Sequence, residues 1–206
     1  MAYPVAFQSD HVERQSRLTT FFRLIVAIPW FIVAYFWELV GFVGVVIAWF
    51  AVVITGRYPA FAYEWVSMAL RYRTRILGWS YLMTDAWPPF DGGEHPEYPI
   101  RLVIPQPLEP YSRWKALLRL ILAIPVYIMA WLFGILAEIV AIISWVVIVI
   151  TGKLPTGLFD VQRLAMAYTA LAGVYVSLIT ETYPPISPED DGAVAVPASP
   201  PPPYGG

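Results

Sequence analysis

The chain has 206 residues, of which 58% are hydrophobic and 14% are charged, and its mean hydropathy is +0.60. An average soluble domain has about 25% charged residues, so this composition is typical of an integral membrane protein. The net charge of -2 gives no indication of a nucleic-acid partner, and the absence of cysteine excludes disulfide scaffolds and thiolate metal or redox sites.

An internal repeat aligns residues 17–90 with residues 113–186, at a constant shift of about 96 residues and without a gap. RLIVAIP recurs as RLILAIP, ITGRYP as ITGKLP, and TDAWPP as TETYPP. Arg, Pro and Thr-Gly match in register, which distinguishes a duplication from a chance similarity of two apolar stretches. We therefore predict two modules, 1–96 and 97–186, and a Pro-rich tail, 187–206, whose composition predicts disorder.

These repeated motifs resemble those of the bacterial membrane family that carries domain of unknown function 4389. The second copy is the looser match, because Leu117 and Leu118 replace the two phenylalanines of the first copy and Glu181 stands where Asp85 does. The resemblance implies a fold and a membrane location. It implies no activity.

The long apolar run of each copy determines the expected number of membrane spans. The run after Arg23 contains one charge, Glu38, and extends over about 31 residues, or about 46 Å as a helix, against roughly 30 Å of hydrocarbon. We predict that it folds into a hairpin, with helices at 16–37 and 39–55. The expected fold class is an all-α integral membrane protein with two repeated transmembrane helical hairpins, and therefore four spans.

An alternative places Pro29 in the first turn of one longer span and begins a second span near Phe61. It sets Arg71, Arg73 and Arg75 in mid-membrane, at about 2.5 to 3.5 kcal/mol each, so we favour the hairpin. The hairpin places every Lys and Arg on one side, which the positive-inside rule assigns to the cytoplasm. We expect a multi-pass protein of the inner (plasma) membrane with both termini in the cytoplasm.

Each hairpin is expected to be followed by an amphipathic helix on the cytoplasmic surface. Within 60–83, Glu64 and Arg71 share one face and Ile76 lies on the other. The equivalent segment, 157–179, is more apolar, and it either lies on the membrane, sinks deeper into it or spans it.

Basic residues beside the apolar runs are candidates for contact with anionic lipid headgroups at the cytoplasmic leaflet, at about 1 kcal/mol per charge. The same residues are what the positive-inside rule requires of any membrane protein. They are Arg14, Arg17, Arg23, Arg71, Arg75, Arg113, Lys115 and Arg119. Arg23 and Arg119 enter the apolar runs by about one turn, and either reach lipid phosphates or pair with Asp85 and Glu181.

Prolines and carboxylates within the apolar runs are further candidates. Pro29 and Pro125 are expected inside helices, as packing kinks or as hinges that expose a carbonyl to an ion path. Glu38 and Glu138 are the acids of the runs; a solvated turn is the favoured interpretation and an ion-handling carboxylate is the other. Copy one also carries two glycines near Glu38 in a GxxG spacing that would allow close helix approach.

No catalytic, metal or cofactor motif is apparent. His11 and His95 are interpreted as solvated, and Gly56 is interpreted as a helix stop within a sequence that only superficially resembles a phosphate loop. We expect a non-enzymatic accessory, scaffold or membrane-organising subunit that contacts the lipid bilayer and forms a homo-oligomer or part of a membrane complex. The alternative is a small channel or transporter built from two parallel hairpin repeats. An enzyme acting on lipid is the least favoured hypothesis.

Overall fold

The computed structural model describes residues 3–186, so the predicted tail, 187–206, lies outside the described residues. The elements in chain order are β1 (Ala6–Ser9), α1 (Arg17–Val26), α2 (Ile28–Thr55), α3 (Ala60–Ser80), β2 (Ile100–Val103), α4 (Arg113–Leu117), α5 (Arg119–Leu122), α6 (Ile124–Thr151) and α7 (Thr156–Val176). Each copy supplies a short helical entry, an apolar helix of 28 residues and a following helix of 21 residues.

Proline and glycine determine where α2 and α6 begin and end. Pro29 and Pro125 lie in the first turn, where a missing N–H costs no intrahelical hydrogen bond. Gly56 and Gly152 end the helices in the left-handed conformation, with φ of 73° and 74°. The prediction of a glycine stop is confirmed, whereas the placement of the two prolines inside helices is wrong.

The predicted turn at Glu38 is wrong as well, because α2 continues through this residue to Thr55 as a single helix. The nearby glycines bring α2 close to α3 instead. A Cβ on Gly41 would lie 2.7 Å from Cβ of Ala69, and a Cβ on Gly44 would lie 2.8 Å from a Val66 methyl group. The two glycines are therefore packing residues, as their spacing predicted, and the observed helix boundaries are those of the alternative model.

α3 is an interior helix and not the predicted surface helix. α2 packs along α3 and β2 lies against it, while α7 has α6 and β1 as the equivalent neighbours. Ser67, Arg75 and Ile76 of α3 are all buried. The charge argument that favoured the hairpin assumed that all three arginines of this helix face lipid. In the structure Arg71 and Arg75 contact protein, and Arg73 alone of the three is half-exposed.

The two strands form an antiparallel ribbon in which Ala6 pairs with Val103 and Ser9 with Ile100. The ribbon contacts α3 and α7, which also contact each other. α2 and α6 pack on these same two helices. The core therefore lies around α3 and α7, between the ribbon and the two long apolar helices.

The two copies hold each other through equivalent contacts. Trp49 Nε1 donates to the Ala116 carbonyl and Trp145 Nε1 donates to the Thr20 carbonyl, both at 3.0 Å. α1 therefore lies at the C-terminal end of α6, and α4 lies at the C-terminal end of α2. It follows that α2 and α6 run in opposite directions.

Candidate functional site

The outward surfaces of α2 and α6 are apolar and exposed. Among the residues that the structure describes, two helices are long and apolar enough to cross a membrane, Ile28–Thr55 and Arg119–Thr151, with mean hydropathies of 2.3 and 2.7. Only 22% of each apolar window is buried. A core helix of a soluble protein would be mostly buried, so these two helices present a large apolar surface to their surroundings.

Arg23 does not reach that surface, since its side chain is buried beneath the C-terminal end of α3. It forms an ion pair with Asp85 and donates to the carbonyls of Trp79 and Thr84. Its guanidinium carbon lies 4.8 Å from the centroid of the Trp79 ring. Of the two predicted alternatives, pairing with Asp85 is the observed one.

Arg119 is the equivalent buried residue of the second copy, but its contacts differ. It donates to the Thr180 carbonyl at 3.1 Å and lies 4.0 Å from the Tyr175 ring centroid. Glu181 pairs with Lys115 at 2.9 Å. Burial acts to raise the pKa of Glu181, but hydrogen bonds from Ser112 N–H and from Lys115 outweigh it and lower the pKa.

The remaining predicted basic residues do not form one patch. Arg71 pairs with Glu94 at 2.6 Å and Arg75 donates to the Asp91 carbonyl, so both hold the segment that follows α3. At the ends of the long helices, Arg17 donates to the Thr151 carbonyl, Arg14 forms a backbone bridge with Lys153, and Arg113 lies in the entry helix α4.

The two histidines have protein partners. His11 Nε2 lies 3.0 Å from the Leu154 carbonyl oxygen. His95 lies 2.9 Å from Asp91 and 3.1 Å from Glu97. The hydrogen bond to Asp91 raises the pKa of His95 above its usual value, and Glu97 adds to this.

A cleft of about 270 Å³ lies between α2 and the N-terminal part of α6, with residues of α3 and α7 completing its lining. Its walls are mainly apolar. Glu38 of α2 and Arg73 of α3 also line it, and Arg73 Nε lies 3.5 Å from a Glu38 carboxylate oxygen. We call it the Glu38–Arg73 cleft.

The side chains of this pair are half-exposed, at 51% for Glu38 and 48% for Arg73. Sequence reasoning singled out both residues separately but not the cleft, since their contact depends on the packing of α2 on α3. Comparison of the two copies carried a signal, because Gly134 and Thr169 stand at the equivalent positions and both charges are missing from copy two together. Glu138, the other candidate carboxylate, does not line the cleft.

Within residues 3–186 no group of three or more His, Asp or Glu side chains is arranged to hold a metal ion. The structure defines a helical protein in which two copies pack against each other, and each copy has one exposed apolar helix of membrane-spanning length. Residues 17–91 and 113–187 both match the family described as Domain of unknown function (DUF4389), and the chain belongs to this family. No curated protein and no solved structure matches the chain. The double match confirms the internal repeat.

Proposed function

We propose that this chain is a non-enzymatic membrane protein, an accessory, scaffold or membrane-organising subunit, with α2 and α6 inserted in the hydrocarbon of the bilayer. The observation that carries the proposal is the low burial of both apolar helices, 22% of each window. Exposed to water, such surfaces would cause aggregation, whereas within a bilayer they contact lipid at no cost.

The positions of the basic residues support insertion from one side in place of the four predicted spans. Because α2 and α6 are antiparallel, a spanning arrangement would divide the charges, with Arg17 and Lys153 on one face of the membrane and Arg57 and Arg113 on the other. Long helices that lie along a single leaflet keep all four on the same side. We place this leaflet at the cytoplasmic face of the inner membrane, with both termini in the cytoplasm.

A cysteine pair tests the arrangement, since the natural chain has no cysteine. Arg57 and Lys153 occupy equivalent positions in the two copies, are exposed, and lie at opposite ends of the helix pair. We expect Arg57→Cys and Lys153→Cys both to react with a membrane-impermeant maleimide in inverted vesicles and neither to react in intact spheroplasts. Reaction of one variant from each side would contradict one-sided insertion and establish spanning helices.

Membrane insertion itself is tested by flotation of the detergent-free protein with phospholipid vesicles in a density gradient. We expect the protein to float and to resist extraction by alkaline carbonate. Protein that remains at the bottom of the gradient while the vesicles float would contradict membrane insertion, on which the whole proposal depends.

The accessory role is tested by purification of the native protein in mild detergent, followed by mass analysis of the intact complex. A defined second protein in stoichiometric amount supports it, and recovery of the chain by itself contradicts it. The channel hypothesis assumed parallel repeats, which the antiparallel course of α2 and α6 does not favour. Ion flux in vesicles that contain the protein, lost in the Glu38→Gln Glu138→Gln double variant, would nevertheless establish a channel and overturn the proposal.

A further inference from the structure

We propose that the Glu38–Arg73 cleft binds the headgroup of one zwitterionic aminophospholipid, with Arg73 on the phosphate and Glu38 on the ammonium group. The inference rests on the proposed function, because it requires that the cleft open to lipid. It assigns a ligand to a pair of charges that the fold does not otherwise use.

Both charged groups retain unused hydrogen-bonding capacity. Their one contact joins Arg73 Nε to a Glu38 oxygen at 3.5 Å, which is longer than a good charge-assisted hydrogen bond. Within the part of the chain that the structure describes, no other hydrogen bond reaches either side chain. Arg73 therefore has two free NH₂ groups and Glu38 a free carboxylate oxygen, all about half-exposed and facing an apolar layer, where unsatisfied charges are costly.

The walls of the cleft match the remainder of a phospholipid. Phe42 and Val45 of α2 line one side, and Val126 and Ala130 of α6 line the other. The volume of about 270 Å³ suits a headgroup and not a whole lipid. The acyl chains would lie along the exposed apolar surfaces of α2 and α6, which leave the cleft in both directions.

The charge balance of the cleft favours a zwitterion over an anion. An anionic headgroup would neutralise Arg73 but would meet the carboxylate of Glu38 beside it. A phosphate linked to an ammonium group by two carbons presents opposite charges at the spacing of a neighbouring Arg and Glu. The second copy carries glycine and threonine in place of the pair, and Thr169 Oγ1 donates to the Ala165 carbonyl in its own helix, so we expect one bound lipid per chain.

The test is native mass spectrometry of the full chain purified in mild detergent and titrated with phosphatidylethanolamine or, in parallel, with phosphatidylglycerol. We expect one tightly retained phosphatidylethanolamine per chain, at least tenfold weaker binding in Arg73→Gln and in Glu38→Gln, and unchanged binding in Glu138→Gln, the matched control on α6. Free phosphoethanolamine should compete weakly, because it lacks the chains.

Two results would contradict the assignment. Preference for phosphatidylglycerol in the wild type, or equal retention by the three variants, would overturn it. Flotation separates failure of the lipid site from failure of the proposed function. Variants that float normally but bind no phosphatidylethanolamine support the site. A wild type that floats but retains no lipid refutes the site and leaves membrane insertion intact. A wild type that does not float refutes both.

Discussion

Arg23 and Arg119 occupy equivalent positions in the two copies and are both buried, but their carboxylate partners differ. Asp85 forms an ion pair with Arg23, whereas Glu181, one methylene longer, pairs with Lys115. Two pairs of contacts between the copies show no such divergence. They are the reciprocal bonds of Trp49 and Trp145, and the backbone bonds from Gln15 N–H to the Gly152 carbonyl and from Tyr111 N–H to the Gly56 carbonyl.

The difference between recurring and divergent contacts indicates which contacts the shared fold depends on. The contacts that recur fasten the C-terminal end of each long helix to the other copy. Charged contacts inside a copy have changed in compensating sets, as when Glu38 and Arg73 are replaced by Gly134 and Thr169. The arrangement of the helices is therefore similar in the two copies, whereas their charged side chains differ.

The largest expected effect separates the two buried arginines. Arg23→Gln leaves Asp85 without its ion pair and should cost about 3 to 5 kcal/mol of unfolding free energy. Arg119→Gln should cost about 1 to 3 kcal/mol, because Glu181 retains its ion pair with Lys115 and its hydrogen bond from the Ser112 N–H group. Unfolding in mild detergent, followed by circular dichroism, measures both. Equal losses would show that the difference in partners has no energetic consequence.

The two long helices should respond differently to a methyl group. Gly41→Ala places its Cβ 2.7 Å from Cβ of Ala69 and should destabilise the protein by about 1 to 3 kcal/mol. Gly134→Ala on α6 meets nothing within 4 Å and should be neutral or stabilising by up to about 1 kcal/mol. The same unfolding experiment applies. A tolerated Gly41→Ala would mean that α2 does not approach α3 this closely.

The reciprocal tryptophans should behave alike. Trp49→Phe and Trp145→Phe each remove one N–H donor from a 3.0 Å hydrogen bond and should each cost about 0.5 to 1.5 kcal/mol. Tryptophan fluorescence and unfolding of the two single variants provide the comparison. Unequal losses beyond the error of the measurement would break the pseudo-symmetry of the interface.

The smallest expected effect on stability comes from His95, in the segment that follows the first copy. The equivalent segment of the second copy lies outside the described residues. The pKa of His95 is raised in the folded protein. Protonated His95 therefore contributes its full stabilisation of the fold below about pH 6.5, the unfolded pKa, and this stabilisation is lost as the pH rises through the folded pKa. The contribution should be below about 1 kcal/mol because the group is near the surface. His95→Gln should remove this pH dependence, and an unchanged profile would assign it to another group.

The repeat, the glycine helix stops and the Arg23–Asp85 pair could be predicted because each depends on local sequence or on matched positions. The number of helices per copy could not, because Gly41 serves equally in a turn or in a close helix contact, and only the position of α3 decides between them. The burial of Arg75 was missed for the same reason. A count of charges assumes that an arginine in an apolar segment faces lipid, but here the segment that follows α3 supplies the partners of Arg71 and Arg75.

The reciprocal bonds from Trp49 and Trp145 have a consequence for how such a protein is assembled. Each copy offers its entry helix to its sister and receives the sister's in return, so neither copy can complete these contacts alone. A chain with a single copy would satisfy them by pairing with a second identical chain about a twofold axis. The duplicated chain therefore corresponds to a dimer whose two subunits are joined covalently. The linker makes their pairing independent of concentration. Because the two halves have separate sequences, one half can also acquire a charge that the other half lacks.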